Sequence, residues 1–219
     1  MRPSLDSLLT QPYPADAASL GRTLEAARAE LARNRTVRRW RTQAVWVFTS
    51  TVAMVALVAS VLLALRQMTL DALLSRAPLF GLLWFTGAVC AWGALSPRGK
   101  WLRPAGIVLA MLSAAALVFA RGEPHVEPTL PGWVCTVSHL GVGLGPLVVS
   151  LLALRSAAFR PVRAMVAGLS VGTTGALVGE LACSQGWLHV AGYHLSAWAL
   201  IAMVEVVVSR SLKSSSYAP

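Results

Sequence analysis

The sequence predicts an all-α integral membrane protein with six transmembrane helices. Of its 219 residues, 56% are hydrophobic and only 13% are charged, and the mean hydropathy is +0.62. An ordinary soluble domain has a charged fraction of about 25%. The apolar residues are also grouped in runs of about 20 residues, the length that a helix needs to cross a hydrocarbon core of roughly 30 Å. The composition therefore excludes an ordinary soluble domain.

Six apolar runs follow one another along the chain. The first, Ala44 to Leu65, contains 22 residues and no charged side chain, so it predicts a complete membrane span. Residues 121–131 contain two glutamates and three prolines, and they predict a loop between the third and fourth runs. The predicted transmembrane domain, residues 44–209, has spans at about 44–65, 77–95, 102–120, 133–154, 164–183 and 195–209.

Lysine and arginine residues fall almost entirely on one side of these spans. Sixteen lie in the two terminal segments and in the links that follow the second and fourth spans, and three lie on the other side. Because cytoplasmic loops are enriched in lysine and arginine, both termini are predicted to lie in the cytoplasm of a bacterial inner membrane, residues 210–219 as a short tail. Lysine and arginine residues on the cytoplasmic side of the bilayer then account for most of the formal charge of +10. No direct nucleic-acid binding is therefore predicted.

Residues 1–43 are polar and are predicted to form a cytoplasmic partner-binding tail. This segment has eight arginines and four acidic residues, a net charge of +4, and it is too short to bury a core of its own. Apolar residues recur at helical spacing after Asp16, which fits a helix N-cap. An amphipathic helix with nothing of its own to pack on indicates a protein partner or the membrane surface. The predicted partner-binding side chains are Leu5, Leu8, Leu9, Leu20, Leu24, Ala27 and Leu31.

Thiol and imidazole groups occur together near one end of the later spans. Cys135 and His139 are four residues apart in the fourth span, so they share one helix face. Glu180 and Cys183 lie at the end of the fifth span. The predicted topology places all four near the outer face, which in a bacterial inner membrane meets the oxidising periplasm. We therefore expect a sensing or redox role for this group, with structural packing as the alternative for each thiol.

Two further histidines, His189 and His194, lie in the predicted loop between the fifth and sixth spans. Thiolate and imidazole groups are favoured ligands of zinc and copper, so these histidines can join Cys135 and Cys183 in a metal site at the outer face. No closely spaced ligand motif is present, however. The sequence therefore predicts no resident cofactor, and the metal site is the less favoured alternative.

Small residues form a stripe along the fifth span. Glycines spaced three or four residues apart let a neighbouring helix approach closely, and Cys183 lies on the same stripe, so it should face protein. Glu205 lies near the end of the sixth span, which predicts solvation at the membrane interface. The predicted helix-packing residues are Gly168, Gly172, Gly175 and Gly179.

A polar tail and six spans occur together with a characteristic set of residues in the later spans: Cys135, the glycine-rich run Gly141 to Pro146, Arg155, the glycine-striped fifth span, Cys183, His189, His194 and Trp198. In this combination the sequence resembles the NrsF-like family of integral-membrane anti-sigma factors. The resemblance implies that the tail sequesters an extracytoplasmic-function sigma factor and releases it on a stimulus such as light, singlet oxygen or another redox signal. It also implies that Cys135 and Cys183 belong to the family's redox or metal response.

A different class of function fits the same histidines. A small transporter, or a membrane redox subunit that binds metal, haem or quinone, would use His139, His189 and His194 as ligands. The sequence contains no Ser-His-Asp set, Walker motif or HExxH motif, so an enzyme is not predicted. The two classes differ in what they require of the tail, because only the anti-sigma reading needs residues 1–43 to bind a protein.

Overall fold

The computed structural model describes residues 21–22, 24–26, 28–29, 36–121, 131–155 and 159–212. Within these ranges the regular structure is entirely helical, and six helices are long and apolar enough to cross a membrane. The predicted fold class is confirmed to that extent. The helices are α1 (Thr36–Ala64), α2 (Leu70–Ser75), α3 (Ala77–Leu95), α4 (Leu102–Phe119), α5 (Trp133–Leu154), α6 (Pro161–Ala182) and α7 (Trp187–Ser211).

The central helix of the bundle is α6. It packs against α3, α4, α5 and α7, and every residue from Ser170 to Leu181 is buried. Small side chains make these close approaches possible, and several of them bond to the neighbouring helices. The Ser170 hydroxyl donates to the Gly87 carbonyl of α3 at 2.7 Å, and the Trp198 indole of α7 donates to the Leu169 carbonyl at 2.9 Å.

The first span, α1, is more peripheral than α6. Its Thr51 hydroxyl accepts a hydrogen bond from Thr174 of α6 at 3.2 Å, and Phe48 packs edge-on against Trp84 with ring centroids 5.8 Å apart. About half of its described apolar side chains are exposed, including Trp46 and Leu57. Such a surface is suited to hydrocarbon, because lipid tails solvate it without cost.

The chain divides into two units, Met1–Arg39 and Trp40–Pro219. In the first unit, the described residues between 21 and 29 are helical, and the Leu24 side chain is 51% exposed. The other predicted partner-binding residues, Leu5, Leu8, Leu9, Leu20, Ala27 and Leu31, lie outside the described residues.

The last span begins earlier than predicted. We expected a loop through His189 and His194 and a helix from residue 195, but α7 begins at Trp187 and includes both histidines, so the loop prediction was wrong. Packing explains the difference, because Val190 is completely buried in the core cluster that contains Leu177 and Leu181 of α6. Residues Val190–His194 form a π-helical turn within α7.

Glu205 is also placed differently from the prediction. We expected an interfacial, solvated carboxylate, but its side chain is fully buried in α7. The Ser150 hydroxyl of α5 donates to Glu205 Oε1 at 2.9 Å, whereas Oε2 has no hydrogen-bond partner among the described residues. The cause is the tight crossing of α6 and α7 at Gly168, where a β-carbon would collide with Ala202 and Glu205. This crossing encloses the carboxyl group even though it lies close to the end of the span.

Candidate functional site

Four side chains that could bind a metal, two of them redox-active thiols, lie close together where α5 begins, α6 ends and α7 begins. We call this region the Cys/His end and define it by Cys135, Cys183, His189 and His194. Cys135 lies in the first turn of α5, and Cys183 is the C-cap residue of α6. Their sulfur atoms and one ring nitrogen from each histidine all lie within 4.8 Å of one another. The predicted grouping of the two thiols with these histidines is therefore present in the structure.

His139 forms the inner wall of the Cys/His end. Its ring packs against the ring of His194 with centroids 4.4 Å apart, and both side chains are 3% exposed. His139 Nδ1 lies 2.8 Å from the Cys135 carbonyl oxygen. Since a carbonyl can only accept, Nδ1 carries the proton in this bond, and the neutral ring presents Nε2 as an acceptor. The bond fixes His139 against the backbone of the cysteine on its own helix.

One ring nitrogen of each histidine in this region lacks a hydrogen-bond partner among the described residues. Nε2 of His139, His189 and His194 are all buried and have no hydrogen-bond partner within the described part of the chain. The His189 ring lies 5.3 Å from His194 and 5.0 Å from Tyr193, measured between ring centroids. A buried polar atom without a partner usually has a specific cause, such as a bound ion or water. Three unpaired ring nitrogens therefore lie close together at the Cys/His end.

The glycine stripe of α6 makes room for these rings. A β-carbon at Gly179 would collide with both His139 and His194, and one at Gly175 would collide with His139. Further along the stripe, a β-carbon at Gly172 would collide with Trp198. The sequence predicted close helix packing, and the structure identifies what the glycines accommodate: two imidazoles and an indole in addition to helix backbone.

We expect Gly179→Ala to destabilise the protein by about 1–3 kcal/mol, because the added methyl group has no space between two buried rings. Gly141→Ala on α5 is the matched control, since nothing lies within 4 Å of a β-carbon at that position. Alanine is favoured over glycine in a helix by about 1 kcal/mol, so the control should be neutral or stabilising. Unfolding of the detergent-solubilised protein measures both, and equal effects of the two substitutions would contradict this account.

Glu180 is held by arginines and does not enter the Cys/His cluster. Its side chain is 3% exposed, and Oε1 accepts from Arg121 Nε at 3.0 Å and from Arg121 Nη2 at 2.9 Å. Oε2 lies 3.8 Å from Arg76 Nη1, which also donates to the Glu180 backbone carbonyl. These bonds connect the end of α6 to the residues that follow α4 and precede α3. The sequence predicted a sensing role for Glu180 but did not indicate that Arg76 and Arg121 bond to it.

The opposite end of the bundle is basic. Arg103 donates to the Gly93 carbonyl at 3.1 Å and to the Ser96 carbonyl at 3.2 Å, which satisfies carbonyls at the end of α3. Arg160 and Arg163 line a small cavity between α5, α6 and α7. The thiol and imidazole groups of Cys135, Cys183, His189 and His194 thus lie at one end of the bundle, and Arg103, Arg160 and Arg163 lie at the other.

The chemistry open to the Cys/His end follows from its donor set. Cys135 and Cys183 are free thiols whose sulfurs lie within 4.8 Å, so they can be oxidised to a disulfide or can serve together as metal ligands. A haem ligated by His139 and His194 would separate their rings across the porphyrin, whereas the two rings pack directly together. Cys90 lies elsewhere, fully buried, with its sulfur 3.4 Å from the Gly106 carbonyl oxygen.

Comparison with known proteins identifies one relative over almost the entire chain. The sequence is 61% identical over 215 residues to the carotenogenesis protein CarR of Myxococcus xanthus, and the match covers 98% of this chain and 97% of that protein. No family model matches the sequence, and no solved structure matches it. The similarity therefore includes both the amino-terminal tail and the segments that form the Cys/His end.

Proposed function

Because this chain belongs to the family of the carotenogenesis protein CarR, we propose that it is a membrane-embedded regulator of carotenoid synthesis that acts as an anti-sigma factor. Its tail, residues 1–43, holds an extracytoplasmic-function sigma factor at the inner membrane. A stimulus received in the membrane domain, such as light-generated singlet oxygen or another redox signal, releases the sigma factor. No catalytic step is assigned to the chain.

The observation that carries this proposal is the 61% identity to a carotenogenesis protein over nearly the full length of both chains. A match of this extent preserves the arrangement of a polar tail followed by membrane spans, which a transporter or a cofactor-binding subunit would not require. The resemblance to NrsF-like proteins is the reason for proposing anti-sigma activity in particular. The tail is the segment outside the spans that is long enough to bind a protein.

The charge distribution supports an orientation with both termini in the cytoplasm. Arg66 and Arg76 line a cavity of about 420 Å³ together with Cys183, and Arg121 bonds to Glu180 of α6, so these three arginines accompany the Cys/His end. The sequence assigns these same three arginines to the side of the membrane that has few lysine and arginine residues. The sequence assigns the sixteen others to the opposite side, and lysine and arginine are enriched in cytoplasmic segments. In this orientation the Cys/His end faces the periplasm.

The binding mode that we propose for the tail is a helix in a groove. Such a segment buries its apolar face in a partner, and leucines at helical spacing supply the contacts. Leu24 lies on helical backbone and is 51% exposed, so its side chain is available to a partner. Folding on binding would let so short a segment cover a large surface of the sigma factor.

We expect Leu24→Glu in the full-length chain to weaken binding of the cognate sigma factor by roughly 10- to 150-fold. Burial of a leucine side chain contributes about 1.5–3 kcal/mol, and each 1.4 kcal/mol changes affinity tenfold. Capture of the sigma factor by the detergent-solubilised, affinity-tagged protein measures the loss. Ala29→Glu is the matched control, because it adds the same charge at an exposed position away from the leucine line. Failure of the unmodified chain to retain the sigma factor would contradict the proposal, and so would equal retention by both variants.

A further inference from the structure

We propose that the Cys/His end binds one zinc ion through Cys135, Cys183, His189 and His194. Two thiolates and two imidazoles are a donor set typical of structural zinc sites, which are almost always four-coordinate and tetrahedral. The inference concerns metal content alone and does not rest on the proposed anti-sigma activity.

The distances suit a zinc ion after a small adjustment. With zinc-to-ligand bonds of about 2.0–2.3 Å, tetrahedral ligand atoms lie roughly 3.3–3.8 Å apart. The four donor atoms of the Cys/His end already lie within 4.8 Å of one another, so any two of them need to approach by about 1.5 Å at most. Rotation about side-chain bonds at the ends of α5 and α6 provides movement of that size without displacing a helix.

The π-helical turn of α7 is what brings the two histidines together. His189 and His194 are five residues apart, and in an α-helix of 3.6 residues per turn this spacing places side chains on different faces. In a π-turn the backbone bonds from residue i to residue i+5, so residues five apart come to lie near the same side of the helix. The Leu195 amide donates to the Val190 carbonyl in this pattern. Single π-turns within α-helices occur frequently at functional sites, and here the turn aligns two ligands.

The histidine nitrogens are also prepared for a metal. Nε2 of His189 and of His194 are buried without a hydrogen-bond partner in the described ranges, and His194 is 3% exposed. Leaving such a nitrogen unpaired is costly, whereas coordination of a metal satisfies it. His139 is a positioning residue, because it packs against His194 and is tied to the Cys135 backbone without belonging to the set of four.

Charge balance favours a divalent ion at this position. Two thiolates and one Zn²⁺ give a neutral site, which lowers the cost of burial near hydrocarbon. The nearby Arg121 cannot neutralise the thiolates without leaving Glu180, to which it is bonded through two nitrogens. Soft thiolate ligands select zinc or copper over magnesium and calcium, and the tetrahedral set of two sulfurs and two nitrogens favours zinc.

The experiment measures metal in the full-length protein purified in detergent under reducing conditions without added metal, and a parallel sample is alkylated before any reductant is added to detect a disulfide. We expect one zinc per chain by elemental analysis, and less than one fifth of that in Cys135→Ser, Cys183→Ser, His189→Asn and His194→Asn. Cys90→Ser is the matched control and should keep its zinc, because that thiol lies outside the cluster. Replacement of zinc by Co²⁺ should produce thiolate charge-transfer bands and the visible bands of tetrahedral cobalt.

The cobalt spectrum of the unmodified chain requires no substitution. It therefore tests the site even where a variant fails to fold. Absence of zinc from the unmodified chain with no uptake of Co²⁺, copper in its place, or a resident disulfide between Cys135 and Cys183 would each overturn the proposal. Sigma-factor capture by the same preparations is scored separately. Loss of that capture with zinc intact would count against the proposed function alone.

Discussion

Replacement of Glu180 by alanine should destabilise the membrane domain by about 3–5 kcal/mol. Removing one member of a buried ion pair leaves the other as an uncompensated charge, and this cost exceeds the net contribution of the pair itself. The Arg121 side chain is 9% exposed and directs two nitrogens at Glu180 Oε1. Without the carboxylate, Arg121 would have to leave its position at the end of α4 or remain buried without a counter-ion.

The matched test is the double replacement Glu180→Met with Arg121→Met. Apolar side chains of similar volume often replace a buried pair at no cost, so the double variant should be markedly more stable than Glu180→Ala. Asp71→Ala serves as the control because Asp71 is exposed, and its effect should stay within about 0.5 kcal/mol. Unfolding in mixed micelles measures all three. A double variant as unstable as the single variant would show that the pair does not connect the helix ends as described.

Trp198→Ala should destabilise the protein by about 3 kcal/mol. The indole is 4% exposed and lies on the glycine stripe at Gly172, and its nitrogen donates to the Leu169 carbonyl at 2.9 Å. Truncation leaves a cavity that a helix bundle cannot close by a small movement, and Trp→Ala changes in cores cost about 3–5 kcal/mol. We place the effect at the lower end because lipid tails are as apolar as the core, so packing and hydrogen bonding contribute most of the loss.

Trp101→Ala is the control for this substitution. Its side chain is 81% exposed at the start of α4, so it changes the same residue type without opening a cavity. Its effect on unfolding should be small, and restoring volume with Trp198→Phe should recover part of the stability lost in Trp198→Ala. Similar losses at both tryptophans would contradict the packing described for the α6 and α7 interface.

The spans were predictable because each depends on local composition alone. Runs of about 20 apolar residues identify membrane helices one at a time, and the glycine spacing of α6 identified the helix that others approach. The Cys/His end followed from topology, since spans of alternating direction bring the start of α5 and the end of α6 to the same side. These inferences needed no knowledge of which helices touch.

The start of α7 and the environment of Glu205 were not predictable in the same way. His189 and His194 alternate with apolar residues in a short segment that contains Gly192, and periodicity does not reveal a π-turn stabilised by the burial of Val190. Glu205 lies near the carboxy-terminal end of α7, but the close crossing of α6 and α7 at Gly168 buries its side chain. Both outcomes depend on contacts between segments far apart in sequence.

The bonds of Arg121 to Glu180 illustrate the same limit. Fifty-nine residues separate the two side chains, and Arg121 is a single charged residue at the end of a span. Only the paired occurrence of an arginine and a glutamate at the same predicted depth could have indicated the bond. A search for opposite charges at matched depth would have found it.

Cell fractionation would show whether this chain holds a sigma factor at the membrane through its tail. Cells would express the cognate extracytoplasmic-function sigma factor with the full-length chain or with a chain that lacks residues 1–35, which precede α1. We expect the sigma factor to sediment with membranes in the first case and to remain soluble in the second, while both chains are found in the membrane. A sigma factor that is soluble in both cases, or bound to membranes in both, would contradict it.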